Sequence, residues 1–469
     1  MKLNIIFKKE NLFITFLFLF SILINQYYGN KGIFPVDSFS HFDTGFRVLL
    51  GEHPFKDYWV VSGPFIDYIQ ALFFYLFGIN WQIYVLHASV INGIITIITF
   101  IVFRNFNLNP IYSFIYALFF SILAYPSSGT PFVDHHSTFF SLTGIYLLIL
   151  AIKNEKNYLW ILLPVVLGFG FLSKQVPSFY IILSTFLILI YYSLIKKKYK
   201  WIRYTILSTS FFIFFLIIFF SFQKISLSSF LEQYIFYPQT IGEKRFSNFN
   251  FTFNGIIGHF KFIYIALIPL IYVNFKKLFL EKDYYKKNSF IFFLILFVFT
   301  FSLITHQMLT RNQTFIFFLI PILTAFSHIY INSDKRFLSV LLIIFCLFVT
   351  TKYHLRFNEG RKFHELSYSD FNLSSSAEKI DKKFYGLNWI TPEFNKTPSK
   401  EINLINEIIS HLKDDNRNKM VMTNYSFFSA ILEKKLFSTA RWHIFDGTDY
   451  PQKNSKYFMS YKKLLIQSI

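Results

Sequence analysis

The chain has 469 residues, of which 54% are hydrophobic, 22% aromatic and only 15% charged, a balance that soluble globular domains do not show. Its formal charge is +20, but the Lys and Arg residues cluster between apolar runs and no recognition motif accompanies them, which points to membrane lipid as the partner and away from nucleic acid. Cys346 is the only cysteine, which excludes an intrachain disulfide and a cysteine-built metal site.

The first apolar run, 11–28, follows Lys2, Lys8 and Lys9 and ends on Asn25, Gln26, Tyr27 and Tyr28 with no small-residue cleavage site. It predicts a retained first helix with a cytoplasmic N-terminus. Further runs of membrane-spanning character lie at 82–103, 111–125, 138–152, 158–173, 177–195, 204–223, 256–275, 288–304, 313–331 and 336–353, giving about eleven transmembrane helices. The run 65–78 is left out of that count: it carries Asp67 and Gln70, and its length suits an interfacial or re-entrant helix. With it excluded, Arg104, Lys153, Lys156, the Lys196–Lys200 cluster with Arg203, the basic stretch 276–287, Lys335 and Arg336 all fall on one side, which the positive-inside tendency makes the cytoplasm. The segments 29–81, 126–137, 224–254 and 306–312, the turn at Lys174 and the tail then lie outside. From 354 onward apolar density drops and charges of both signs appear. Thr397 and Pro398 read as the start of a helix with Ile402, Ile405, Ile408, Ile409 and Leu412 on one face. Strands at 420–423 and 442–445 flank a helix at 427–435, and 352–395 reads as a loosely packed connection. The expected architecture is an all-α polytopic membrane domain, 1–353, with a small α/β extracytoplasmic C-terminal domain, 354–469.

The outer loop 29–81 carries Asp37, Asp43, Asp57 and Asp67 just after the first span. Residues 37–51 read as an amphipathic helix on the membrane surface, with Phe39, Phe42, Phe46, Leu49 and Leu50 entering the interface. Asp37 and His41, like Asp43 and Arg47, are spaced to share a helix face. A carboxylate such as Asp37 can take up the proton of an attacking hydroxyl or amine; Asp is also a favoured helix N-cap, and the two roles are compatible. In the second outer loop, Asp134 with His136 can bind a divalent cation, although DHH is also what a satisfied polar cluster at a helix end looks like. Lys174 interrupts two apolar runs and suits either a phosphate or snorkelling to the headgroups. His306, Gln307, Arg311 and Asn312 precede an apolar run with Pro321, and Arg311 can fork onto a phosphate. The third outer loop, with Glu232, Tyr234, Tyr237, Glu243, Lys244 and Arg245, is long enough for a lid or an acceptor platform.

Asp37, the stretch DTGFRVLLGEHPFKD at 43–57 and the SGPF at 62–65 resemble the first outer loop of membrane glycosyltransferases with the GT-C fold, above all the protein O-mannosyltransferase and aminoarabinose transferase superfamily. The resemblance implies transfer of a sugar, generally with inversion, from a polyprenyl-phosphate donor to a glycan, lipid or protein acceptor at the outer face of a plasma (bacterial inner) membrane. It implies catalytic roles for Asp37 and Asp134, and donor-phosphate contacts for Lys174, His306 and Arg311. Where that family often has Asp-Glu this chain has Asp37-Ser38, so a second acidic function would come from Asp43. A secondary transporter or lipid-linked glycan flippase is the alternative, though no inverted repeat or paired interrupted helix is visible.

Overall fold

The structure is a computed structural model that describes residues 2–247, 252–310, 316–331, 336–415, 417–444 and 446–468. Its helices are α1 Lys2–Gly29, α2 Pro35–Ser38, α3 Phe42–Leu49, α4 Pro64–Phe77, α5 Trp81–Asn105, α6 Pro110–Leu123, α7 Val133–Asn154, α8 Asn157–Ser173, α9 Gln175–Lys196 and α10 Lys200–Phe222. They continue with α11 Leu227–Phe230, α12 Tyr237–Ser247, α13 Lys261–Leu280, α14 Asn288–Thr310, α15 Leu319–Ile331, α16 Arg336–Tyr353, α17 Pro398–Asp414, α18 Phe428–Leu432 and α19 Phe458–Gln467. Each of the eleven apolar runs overlaps one of these, with 313–315 of the tenth run outside the described residues. Among the described residues nine helical segments are long and apolar enough to cross a membrane, while α8 and α15, with 17 and 13 residues, are shorter. The starts follow local chemistry: the Asn80 and Asn109 side chains accept from the N–H groups of Ile83 and Ile111, capping α5 and α6. Inside the bundle, Asn25 on α1 donates to Ser89 on α5 at 2.9 Å, and Gly93 lets the Phe18 ring lie against the α5 backbone. This is the small-residue and polar-pair packing that joins helices where lipid removes the hydrophobic drive.

The loops sort to two ends of the bundle. At one end Arg104 pairs with Glu10 at 2.7 Å, Lys153 donates to the Asn105 carbonyl, Lys198 pairs with Glu155, and Tyr191 donates to the Tyr285 carbonyl at 3.1 Å. These contacts gather the basic loops beside the start of α1. At the other end Asn25 donates to Gly129 O at 3.0 Å, Gln175 to Val61 O at 2.8 Å and Arg441 to Ser62 O at 2.6 Å. Gly129 sits at φ +77° with its Cβ position 2.5 Å from Gly29 Cα, so only glycine allows this close crossing of α1 and the 124–132 loop. Helix α4 enters just after Ser62 and leaves into Trp81, which packs 5.3 Å from Phe39 at this same end. With 14 residues, α4 is shorter than the helices long enough to cross a membrane.

Other expectations are corrected. The 37–51 segment is not one surface helix: α2 and α3 are separate, and Phe39, Phe42 and Phe46 are buried in a cluster with Trp81, Phe384, Trp389 and Phe427, leaving only Leu49 and Leu50 exposed. The stripe is apolar, but the tail covers it in place of lipid. Burying rings of this size contributes about 1.5–3 kcal/mol each, enough to dock the tail firmly. Within the tail, α17 begins after Thr397 and buries Ile402, Ile405 and Ile409 as expected, with Leu412 partly buried, whereas Ile408 is exposed. The only ladder among the described residues joins Ser375–Ser376 to Asn388–Trp389; 420–423 and the described part of 442–445 have no strand partner, so the expected α/β pattern is not formed there. Nor is 352–395 loose. Arg361, fully buried, donates to the carbonyls of Lys31, Pro126, Ser127 and Ser128, tying the tail's first segment to the loops after α1 and α6.

Candidate active site

Asp134 stands in the first turn of α7, where the positive end of the helix dipole favours a carboxylate. The chain breaks between α8 and α9, and Lys174 lies extended in that gap (φ −162°, ψ 137°), so its side chain reaches across rather than along a helix. Its ammonium meets both Asp134 oxygens, at 2.8 and 2.7 Å. His306, near the end of α14, donates from Nε2 to Asp134 Oδ1 at 2.9 Å. Residues 134, 174 and 306, far apart in sequence, thus form one cluster at the loop end of the bundle, held by charge-assisted hydrogen bonds in a site shielded from water.

Asp37 lies within electrostatic reach of this cluster. The cap position of α2 belongs to Phe34 and no side chain caps it, so Asp37 is not spent as an N-cap. Its backbone N–H bonds to Phe34 O at 3.0 Å and its carbonyl accepts from Ser40, while its carboxylate makes no hydrogen bond among the described residues and keeps part of its surface open. Burial first, and then the neighbouring Asp134 carboxylate, push the Asp37 carboxyl up to about 7, against the pull of Lys174. A carboxyl that exchanges its proton near neutral pH and has no internal partner is suited to take a proton from a substrate.

The other anticipated residues are placed as follows. Arg311 and Asn312 lie outside the described residues. Asp43 is under the tail, accepting from Ser429 Oγ at 3.1 Å and Ala430 N at 3.3 Å, and its neighbour Arg47 pairs with Glu52 at 2.5 Å. The geometry gives Asp43 a docking contact, not a place in the cluster. The suggested metal pair does not converge either. His136 accepts from Tyr125 OH at Nδ1 (2.5 Å) and donates from Nε2 to His87 (2.9 Å), whose Nδ1 in turn donates to Gln70 Oε1 (2.9 Å), so both its nitrogens are used by the protein. With Asp134 also occupied, these residues do not fit a resident ion, and among the described residues no group of three or more His, Cys, Asp or Glu could hold one.

Two features escaped the sequence. Asp67 of α4, fully buried, accepts from Arg441 of the tail (2.8 Å), His41 Nδ1 (2.7 Å), Thr44 (2.6 Å) and Tyr58 (3.2 Å). Its presence in an apolar run was a visible signal; its cation, 374 residues away, was not. The second is a cavity of about 870 Å³ walled by α12, the stretch 252–260, the end of α14 and the tail segment 446–455. Gln307, the neighbour of His306, lines it with a buried Oε1 that has no hydrogen-bond partner among the described residues, and Lys244 and Arg245 line it as well. Arg245 is close enough to His306 to act on it electrostatically, so cavity and cluster adjoin.

Residues 53–222 match the family model described as dolichyl-phosphate-mannose-protein mannosyltransferase, a GT-C type family. The match covers less than half of the chain and shows a likeness to that membrane glycosyltransferase family over this stretch. It includes Asp134 and Lys174 and leaves Asp37, His306, the cavity and the tail outside. Among curated proteins, none matches the chain significantly.

Proposed function

We propose that the chain transfers a sugar, with inversion, from a polyprenyl-phosphate donor to an acceptor hydroxyl at the outer face of a plasma membrane. The observation that carries this is the partly open Asp37 carboxylate, without a hydrogen bond among the described residues, beside the Lys174–Asp134–His306 cluster. The acceptor oxygen attacks the anomeric carbon and its proton passes to Asp37, while the bond from that carbon to the phosphate oxygen breaks and the polyprenyl phosphate leaves with the electron pair. Asp134 is a positioning residue: it holds Lys174 where the ammonium, with a donor to spare beyond the two Asp134 contacts, meets the departing phosphate. Lys174→Met removes that contact and is expected to raise the donor KM or lower kcat by about 10- to 100-fold, the value of a hydrogen bond to a charged group. Steady-state turnover of a radiolabelled polyprenyl-phosphate sugar by the protein in lipid nanodiscs checks it. Wild-type kinetics for this variant would remove Lys174 from the site.

The orientation rests on the basic loops gathered at the opposite end of the bundle, which the positive-inside tendency puts in the cytoplasm together with the N-terminus. A reporter fused to the C-terminus, active only outside the cell, is expected to be active; a cytoplasmic tail would place the whole site on the other face.

A further inference from the structure

The 870 Å³ cavity has two walls of different chemistry. On the membrane side are Lys244, Arg245 and His259 with Phe260 and Met308, a basic and apolar surface that suits a lipid phosphate. On the tail side are Asp446, Thr448, Gln452, Asn454 and Ser455, which bring a carboxylate, hydroxyls and amides and no cation. A phosphate would be repelled by Asp446 on this side. A polyol would find an acceptor on Asp446 and both donors and acceptors on the hydroxyls and amides.

The tail wall is built and held. Asp446 accepts from the N–H of Thr448 at 2.8 Å and from its hydroxyl at 2.6 Å, and Gly447 turns the chain at φ +77°. Ser455 N–H bonds to Gln452 O at 2.8 Å. From below, the buried Asp449 accepts from Trp442 N at 3.1 Å, and Tyr450 stacks on Tyr461 with ring centres 5.0 Å apart. Across the gap, Tyr237 of α12 donates to the Gly447 carbonyl, fixing this wall against the one that carries Lys244 and Arg245. On this preorganised turn the Asn454 amide is exposed and makes no hydrogen bond among the described residues, and Gln307 Oε1, buried in the adjoining wall, has no partner among them either. A peptide acceptor read through its backbone would want a strand edge, and the wall has none; a lipid acceptor would want an apolar floor, and the tail side offers polar groups.

We infer that the acceptor is a carbohydrate, and that 446–455 is the wall that selects it, while Lys244 and Arg245 face the donor phosphate. This rests on the glycosyl-transfer reading and names the substrate class of the same site. The test uses the full chain in nanodiscs with radiolabelled polyprenyl-phosphate mannose, offered either a mixture of tri- to pentasaccharides or a Ser/Thr-rich peptide mixture. Release of polyprenyl phosphate is followed separately from the fate of the label. The expected result is label in the oligosaccharides, with Asn454→Leu and Thr448→Val each raising the acceptor KM about three- to tenfold, as loss of one hydrogen bond does, and leaving the donor KM in place. Label in the peptides, or variants that shift the donor KM instead, would overturn the inference while leaving glycosyl transfer standing. Failure to release polyprenyl phosphate with any probe would overturn both, and the separate readout distinguishes the two cases.

Discussion

Asp37→Asn is expected to lower sugar transfer by about 10²- to 10⁴-fold, the usual contribution of a positioned general base, with little change in donor KM. The isosteric amide keeps the shape of α2, whose cap lies at Phe34, so loss of folding is not the expected cause. The wild-type pH profile should carry the same signature. With the Asp37 carboxyl raised to about 7, the basic form is scarce at pH 6 and predominates at pH 8, so kcat/KM should climb with pH through about 7 and then level. The sign for stability is opposite. A carboxyl raised on folding holds a proton the unfolded chain has released, so its contribution is fully present below the unfolded value near 3.8 and is lost as pH rises through about 7. Activity and stability should therefore move in opposite directions over that window, and Asp37→Asn should flatten both. A variant with wild-type kcat, or a profile that keeps its rise near pH 7, would take the proton-accepting role away from Asp37.

Arg441→Met should cost about 3–5 kcal/mol of stability, because it strips the cation from a carboxylate that is fully buried. Asp67 keeps His41, Thr44 and Tyr58, but these neutral donors do not balance its charge in a site without water. The double variant Asp67→Asn with Arg441→Met should recover much of the loss, since it leaves no unpaired charge. Thermal unfolding in nanodiscs and the rate of tryptic cleavage in the tail measure both. A single variant that melts like wild type would mean that the tail is held by its aromatic cluster alone. Arg441 also donates to the Ser62 carbonyl, so its loss should reach the outer loop that carries Asp37.

The membrane helices were legible because burial in lipid demands long apolar runs. What covers an apolar stripe was not legible. Phe39, Phe42 and Phe46 give the same pattern whether they face lipid or the tail's Phe384 and Phe427, and only tertiary structure decides. Short apolar runs such as 420–423 carry no period long enough to separate strand from coil, and without a partner edge that one stayed coil. In the site, Asp134, Lys174 and His306 stood out as polar residues at the ends of apolar runs, where they are costly unless paired or used, and the structure pairs them with one another. Asp43 carried the same kind of signal, yet its partners are Ser429 and Ala430 of the tail. A buried charge announces that it has a partner and is silent on which.

The central claim, that this chain breaks the bond between a sugar and a lipid phosphate, is tested most directly with the purified wild-type chain in sealed lipid vesicles and a radiolabelled polyprenyl-phosphate sugar. The account predicts that the lipid product is polyprenyl phosphate without its sugar, and that Asp37→Asn stops its release. Intact lipid-linked sugar moved from one leaflet to the other with no bond cleaved would contradict it and make the chain a flippase.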